Sequence, residues 1–126
     1  MEFDLQQGLS LNKDFMVEDQ YIADFLGSGD VTVLSTPSMI LFMELTAKDC
    51  AQEKLPDGWV TVGTRVDVSH LAVARKNEKV TVSAILKSFE KKHLIFDVIA
   101  KVEEKIIGKG IHERHIVNKE KFMKMI

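Results

Sequence analysis

The chain has 126 residues, enough for one domain with a real core over 1–126 and too few for a second. Its 17 basic and 19 acidic side chains give a formal net charge of -2 and form no basic block, which argues against a nucleic-acid partner. The single cysteine, Cys50, rules out an internal disulfide, and neither a signal-like start nor a run of about 18 apolar residues occurs; a soluble cytoplasmic protein without a membrane segment is expected.

Residues 5 to 17 carry a weak strand signal, with Leu9 and Leu11 and then Phe15 and Val17 spaced by two. Tyr21, Ile22, Phe25 and Leu26 follow at helical spacing and are stopped by Gly27-Ser28-Gly29-Asp30. This short turn with a flexible link suits either a lid or a plug over one end of the core.

The next stretch, from Thr36 to about Leu55, organises the rest. Thr36 can cap a helix with its hydroxyl, and Pro37 suits the first helical position, where no amide donor is needed. Met39, Ile40, Leu41, Phe42, Met43 and Leu45 are apolar all round, which predicts a helix enclosed by the rest of the protein. Glu44 sits inside that run, and an enclosed carboxylate is costly unless paired, protonated or employed.

After the Pro56-Asp57-Gly58 turn the period becomes two. Val60, Val62, Thr64, Val66 and Val68 alternate with polar or small residues, predicting a strand with one buried face. Lys79 to Phe89, His93 to Val102 and Ile106 to Val117 repeat the pattern between short polar turns. Four consecutive strands with short links predict an antiparallel meander curled around the helix, an α+β fold. The ending NKEKFMKMI reads as a solvated turn of helix or a last strand.

Two polar residues and one glycine stand out as chemistry. Thr36 lies at the helix mouth, where free amides and the positive dipole end can hold a carbonyl oxygen gaining charge; otherwise it is simply a cap. His70 ends the first long strand and can carry a proton near neutral pH, or it is an ordinary strand-end histidine. Gly63 interrupts a valine-rich strand, the mark of a bulge or a close approach. Thr36 and Glu44 are eight residues apart, roughly 12 Å along a helix, so a site using both in contact needs two chains and predicts a homodimer. No metal site is expected, because His112 and His115 are three apart on a strand and point to opposite faces. No cofactor is expected either, since Gly108-Lys109-Gly110 lacks the setting of a dinucleotide loop. Arg75, Lys76 and Lys79 are read as a solvated turn.

The segments STPSMILFMELTAKDCA, VGTRVDVSHLA, VTVSAILKS and GKGIHERHIV together resemble the fluoroacetyl-CoA thioesterase-like group of hotdog-fold proteins over roughly residues 30 to 122. The resemblance implies a hotdog fold, a curved antiparallel sheet wrapped around one long central helix. It implies an acyl-CoA thioesterase with Thr36, Glu44 and His70 as the catalytic set, Gly63 lining the acyl pocket and Arg114 shaping the site. It also implies an acyl-CoA substrate and a homodimer, with a dimer of dimers as the larger assembly. A non-catalytic acyl-CoA or metabolite-binding module, or an acyl-CoA hydratase or dehydratase, would use the same pocket. Pro37 stands where the group has a glycine after the threonine, and Gly29-Asp30-Val31 has no aromatic where the fluoroacetyl-specific member has a gating phenylalanine. Both departures bear on fluoroacetyl selectivity, and the resemblance implies thioester hydrolysis without fixing the acyl group.

Overall fold

A computed structural model describes residues 2–126. A strand β1 (Ser10–Met16), a 3-10 turn (Asp19–Tyr21) and a short helix α1 (Ala23–Leu26) lead to the long helix α2 (Thr36–Gln52). Four strands follow, β2 (Trp59–His70), β3 (Lys79–Glu90), β4 (His93–Val102) and β5 (Lys105–Asn118), and then the terminal helix α3 (Lys119–Lys124). All five strands form one antiparallel sheet in the order β1-β3-β4-β5-β2.

The expected four-strand meander is corrected by that order. Only β3, β4 and β5 run as consecutive neighbours; β2 leaves the helix, skips to the far edge and pairs with β5. Alternation predicts a strand but says nothing of its partner, and β2 reaches the edge because the turn at Pro56-Asp57-Gly58 delivers it there from the end of α2.

The helix lies on the sheet by one apolar stripe. Met39, Phe42, Met43, Ala47, Cys50 and Ala51 are buried against Val80, Val82, Ala84 and Leu86 of β3, Leu94, Phe96, Val98 and Ala100 of β4, and Ile107 and Ile116 of β5. Phe42 stacks on Phe15 of β1 at 4.3 Å between centroids and meets Tyr21 edge-on at 4.8 Å, so one ring ties the helix to both N-terminal pieces. Burying such a ring contributes about 2 to 3 kcal/mol. Gly108 of β5 lies against Met39, and a Cβ there would overlap the thioether, so glycine is what lets the helix settle this close. Lys13 of β1 and Asp49 of α2 form an ion pair at the far end.

The helix is not enclosed on every side. Leu41 is 42 % exposed, and Ile40, Glu44 and Leu45 are half-buried along the same face. Within one chain the sheet covers only one side of the helix, and the apolar residues opposite are left for another surface. The short α1 shows the same pattern, with Phe25 68 % exposed beside Gly27, whose φ of 79° closes the turn in the left-handed region.

Candidate active site

At the mouth of α2 the capping residue is Ser35, not Thr36. Ser35 Oγ accepts from the Ser38 amide at 3.1 Å and donates to Ser38 Oγ at 2.8 Å. Both 35 and 36 carry a hydroxyl, so spacing from Pro37 could not separate them. The displacement by one residue frees Thr36 from capping: its Oγ1 lies 2.8 Å from His70 Nδ1. The first-turn amides are mostly consumed, since Pro37 has none, Ser38 is bound by Ser35 Oγ and Met39 by Ser35 O. The Thr36 amide has no hydrogen-bond partner among the described residues. The mouth thus offers one free N–H and one hydroxyl at the positive end of a seventeen-residue helix.

His70 reaches this mouth from the end of β2. Burial pushes its imidazole below the ordinary 6.5, and the Ala72 backbone partly offsets this. Its Nε2 is buried with no hydrogen-bond partner of good geometry. The tautomer decides the roles: with the proton on Nδ1 the ring donates to Thr36 Oγ1 and leaves that hydroxyl free to donate onward, and with it on Nε2 the hydroxyl is spent on the ring. A cavity of about 380 Å³ opens here, walled by Val31, Val33, Leu34, Thr36, His70 and Val73.

The second predicted group sits half-way along α2. Glu44 is 40 % exposed at its side chain rather than enclosed, and its Oε2 lies 4.0 Å from Arg114 Nη1. That gap is wider than a hydrogen bond. Gly63 floors it: a Cβ added there would come within 3.2 Å of Glu44 Oε2, 3.3 Å of Arg114 Nη1 and 3.3 Å of His112 Cε1. Arg114 is buried and rigidly held, with Nε donating to Thr61 Oγ1 at 2.7 Å, Nη2 to Thr61 O at 3.0 Å and Nη1 to His112 Nε2 at 3.0 Å. Burial presses its guanidinium down from its ordinary value, and the Glu44 carboxylate pulls the other way.

A register shift explains how β2 serves both groups. Gly63 pairs with Arg114 and Arg65 with Glu113, leaving Thr64 as an extra residue. Gly63 and His70 are seven apart, an odd interval that places two residues of a regular strand on opposite faces. With the bulge both face the helix, Gly63 toward Glu44 and His70 toward Thr36. The expectation that Val60 through Val68 share one face fails for the same reason: Thr61 is buried, while Val66 and Val68 have crossed to the inner side opposite His112 and Gly110.

The chain therefore brings Thr36 together with His70, and Glu44 together with Gly63 and Arg114, as two separate clusters. His112 and Thr61 belong to the second one and were missed. The available signal for His112 was parity, because it shares its face of β5 with Gly110 and Arg114. Cys50 is buried in the helix–sheet core, where burial first and Glu53 second push its thiol up to about 11, out of range for a nucleophile at neutral pH. Among the described residues no three of His, Cys, Asp and Glu converge as a ligand set, and no helix is long and apolar enough to cross a membrane.

Comparison with known proteins meets this geometry. The family model described as fluoroacetyl-CoA-specific thioesterase (FlK) matches residues 17–120. A fluoroacetyl-CoA thioesterase from Streptantibioticus cattleyicolor is 34% identical over 90 residues, 71% of this chain but only 65% of that protein, so the match spans under two thirds of the relative's length. The solved structure of the fluoroacetyl-CoA thioesterase FlK is similar at a TM-score of 0.90 and 28% identity, covering 96% of this chain and 94% of that one. A hot-dog-like protein from Thermanaerovibrio acidaminovorans, 23% identical, shares the fold at a TM-score of 0.86 over 94% of this chain and 88% of its own. The sheet curled on one long helix is thus a hotdog fold, and the chain belongs to the fluoroacetyl-CoA-specific thioesterase family.

Proposed function

We propose that this protein is an acyl-CoA thioesterase, hydrolysing a small acyl-CoA to the free acid and coenzyme A in a site shared between two copies of the chain. The observation that carries the reading is the 2.8 Å contact of Thr36 Oγ1 with His70 Nδ1 beside a free amide at the open mouth of α2. An amide and a hydroxyl at a helix N-terminus suit a thioester oxygen that becomes an oxyanion, and a neutral imidazole next to them suits a proton in transit. Glu44 is the carboxylate able to attack the carbonyl or activate water. It lies two turns further along the same helix, so a second subunit would present its Glu44 to the first subunit's Thr36. The unpaired outer edge of β2 and the half-buried face of α2 at Ile40, Leu41 and Leu45 favour such a twofold pair. Pairs of pairs and a cytoplasmic setting are part of the same reading.

The test is thiol release from a panel of short acyl-CoAs, with Glu44→Gln and Thr36→Ala each expected to lose activity by a factor on the order of a hundred or more. Mixing the two inactive variants after subunit exchange should restore about a quarter of the sites, because half the random pairs are hybrids and each hybrid holds one intact site. No recovery with exchange demonstrated would rule out the shared site. Stabilisation by acyl-CoA without thiol release from any of the panel would point to a binding module.

A further inference from the structure

His112 lies in the inner face of β5, 1 % exposed, with both ring nitrogens engaged. Its Nδ1 lies 2.8 Å from the Arg65 carbonyl of β2, and its Nε2 lies 3.0 Å from Arg114 Nη1. A carbonyl oxygen only accepts and a guanidinium only donates. One form of imidazole satisfies both: the neutral ring protonated on Nδ1 and bare on Nε2. A proton on Nε2 would set two donors against each other in a buried place.

We propose that His112 is a positioning residue which, locked between the Arg65 carbonyl and Arg114, fixes the guanidinium at the distance from Glu44 that leaves the space over Gly63 open. Thr61 holds one edge of the guanidinium through Nε and Nη2, and that edge alone would still let the plane tilt about it and close the 4.0 Å gap between Nη1 and the carboxylate to hydrogen-bond length. His112 opposes that movement from the other side. The Arg65 carbonyl that orients it belongs to the residue just after the bulge, so the irregularity in β2 also sets the ring. The charged groups around the imidazole are Glu44 from α2, Arg114 on its own strand and Glu113 on the opposite face; β4 contributes the non-ionisable Phe96 as its pairing neighbour. Burial first, with Arg114 adding, keeps the ring below the ordinary imidazole value, in agreement with the neutral form its partners require.

The inference rests on the thioesterase reading for its effect on turnover, and one arm of the test is independent of that reading. In nitrogen-15 histidine-labelled protein at pH 7, the ring signals that disappear in His112→Gln should be those of an Nδ1-protonated neutral imidazole. An Nε2-protonated or cationic ring would overturn the proposal. In the kinetic arm, His112→Phe keeps a flat ring, somewhat larger, and loses both hydrogen bonds, whereas His112→Gln keeps a donor and an acceptor in nearly the same volume. Phe should lower kcat/KM roughly ten- to a hundredfold and Gln should recover most of it, each compared at matched thermal stability. The reverse order, with Phe active and Gln not, would mean that His112 only fills space and would overturn the assignment. If the unaltered protein releases no thiol from any acyl-CoA, the thioesterase reading fails by itself and the ring spectrum still decides the tautomer.

Discussion

Replacing Gly63 with alanine separates the site from the scaffold in a single methyl group. The backbone at 63, at the edge of the bulge, does not have the left-handed φ that would need glycine, so alanine can adopt it, and removing a glycine from the unfolded chain favours folding by about 0.4 to 1 kcal/mol. Against that, the new Cβ lies 3.2 to 3.3 Å from Glu44 Oε2, Arg114 Nη1 and His112 Cε1, close enough that one neighbour must move by a few tenths of an ångström. Arg114 is held by three hydrogen bonds and His112 by two, whereas Glu44 is 40 % exposed and, among the described residues, accepts no hydrogen bond and meets only Arg114 at 4.0 Å, so the carboxylate is what yields. The two stability effects nearly cancel, and Tm should stay within about 4 °C of the parent. Turnover should not survive as well: a carboxylate displaced by a fraction of an ångström to an ångström, in a pocket short of one methyl of space, costs on the order of a hundredfold in kcat/KM, or about 3 kcal/mol. Thiol release and a thermal melt on the same preparation measure both. Activity within twofold of the parent would refute the placement of the acyl group over Gly63, and a Tm drop beyond about 10 °C would show that the glycine serves packing.

The remaining expectations are simpler. Ser35→Ala should lower stability by about 1 kcal/mol because it removes the cap of α2, while Thr36→Val should leave stability within about 0.5 kcal/mol and abolish most turnover; urea melts and thiol release distinguish the two adjacent hydroxyls. Acid should destabilise the protein: His70 and His112 both sit below the ordinary 6.5 when folded, mainly through burial, so the unfolded chain takes up protons first. Their contribution is complete above about pH 6.5 and is lost as pH falls below it toward the folded values; urea midpoints that stay level or rise between pH 7 and 5 would contradict this.

The long helix, its proline-marked start and all the strands could be read from periodicity, because each element buries one stripe or one face and spacing records that directly. The N-terminal strand was only weakly signalled, and the ending read equally as a turn of helix or a last strand; it is the helix Lys119–Lys124. The neighbour of β2 was not, since alternation is the same whether a strand pairs with β3 or with β5. The enclosure of Glu44 was over-read: six apolar residues around it suggest burial on all sides, yet a single sheet covers one side only, and Leu41 and Glu44 lie on the other. Ser35 and Thr36 were indistinguishable as caps by type, and the outcome turned on which hydroxyl faced Ser38. His112 was weighed as a metal ligand on its distance from His115, while its parity with Arg114 two residues on held the more useful clue.

The extra residue at Thr64 makes β2 intolerant of small length changes. Deleting it would straighten the strand and restore strict alternation, and then whichever half kept its pairing with β5 would turn the other half outward. Either the glycine floor or the histidine at the mouth would face solvent, with the sheet otherwise whole. Sequences built on this scaffold should therefore gain or lose residues between 63 and 70 only in twos; the segment after His70 is tied down as well, with the Leu71 and Ala72 amides donating to Ile107 O and Val33 bridging Arg75.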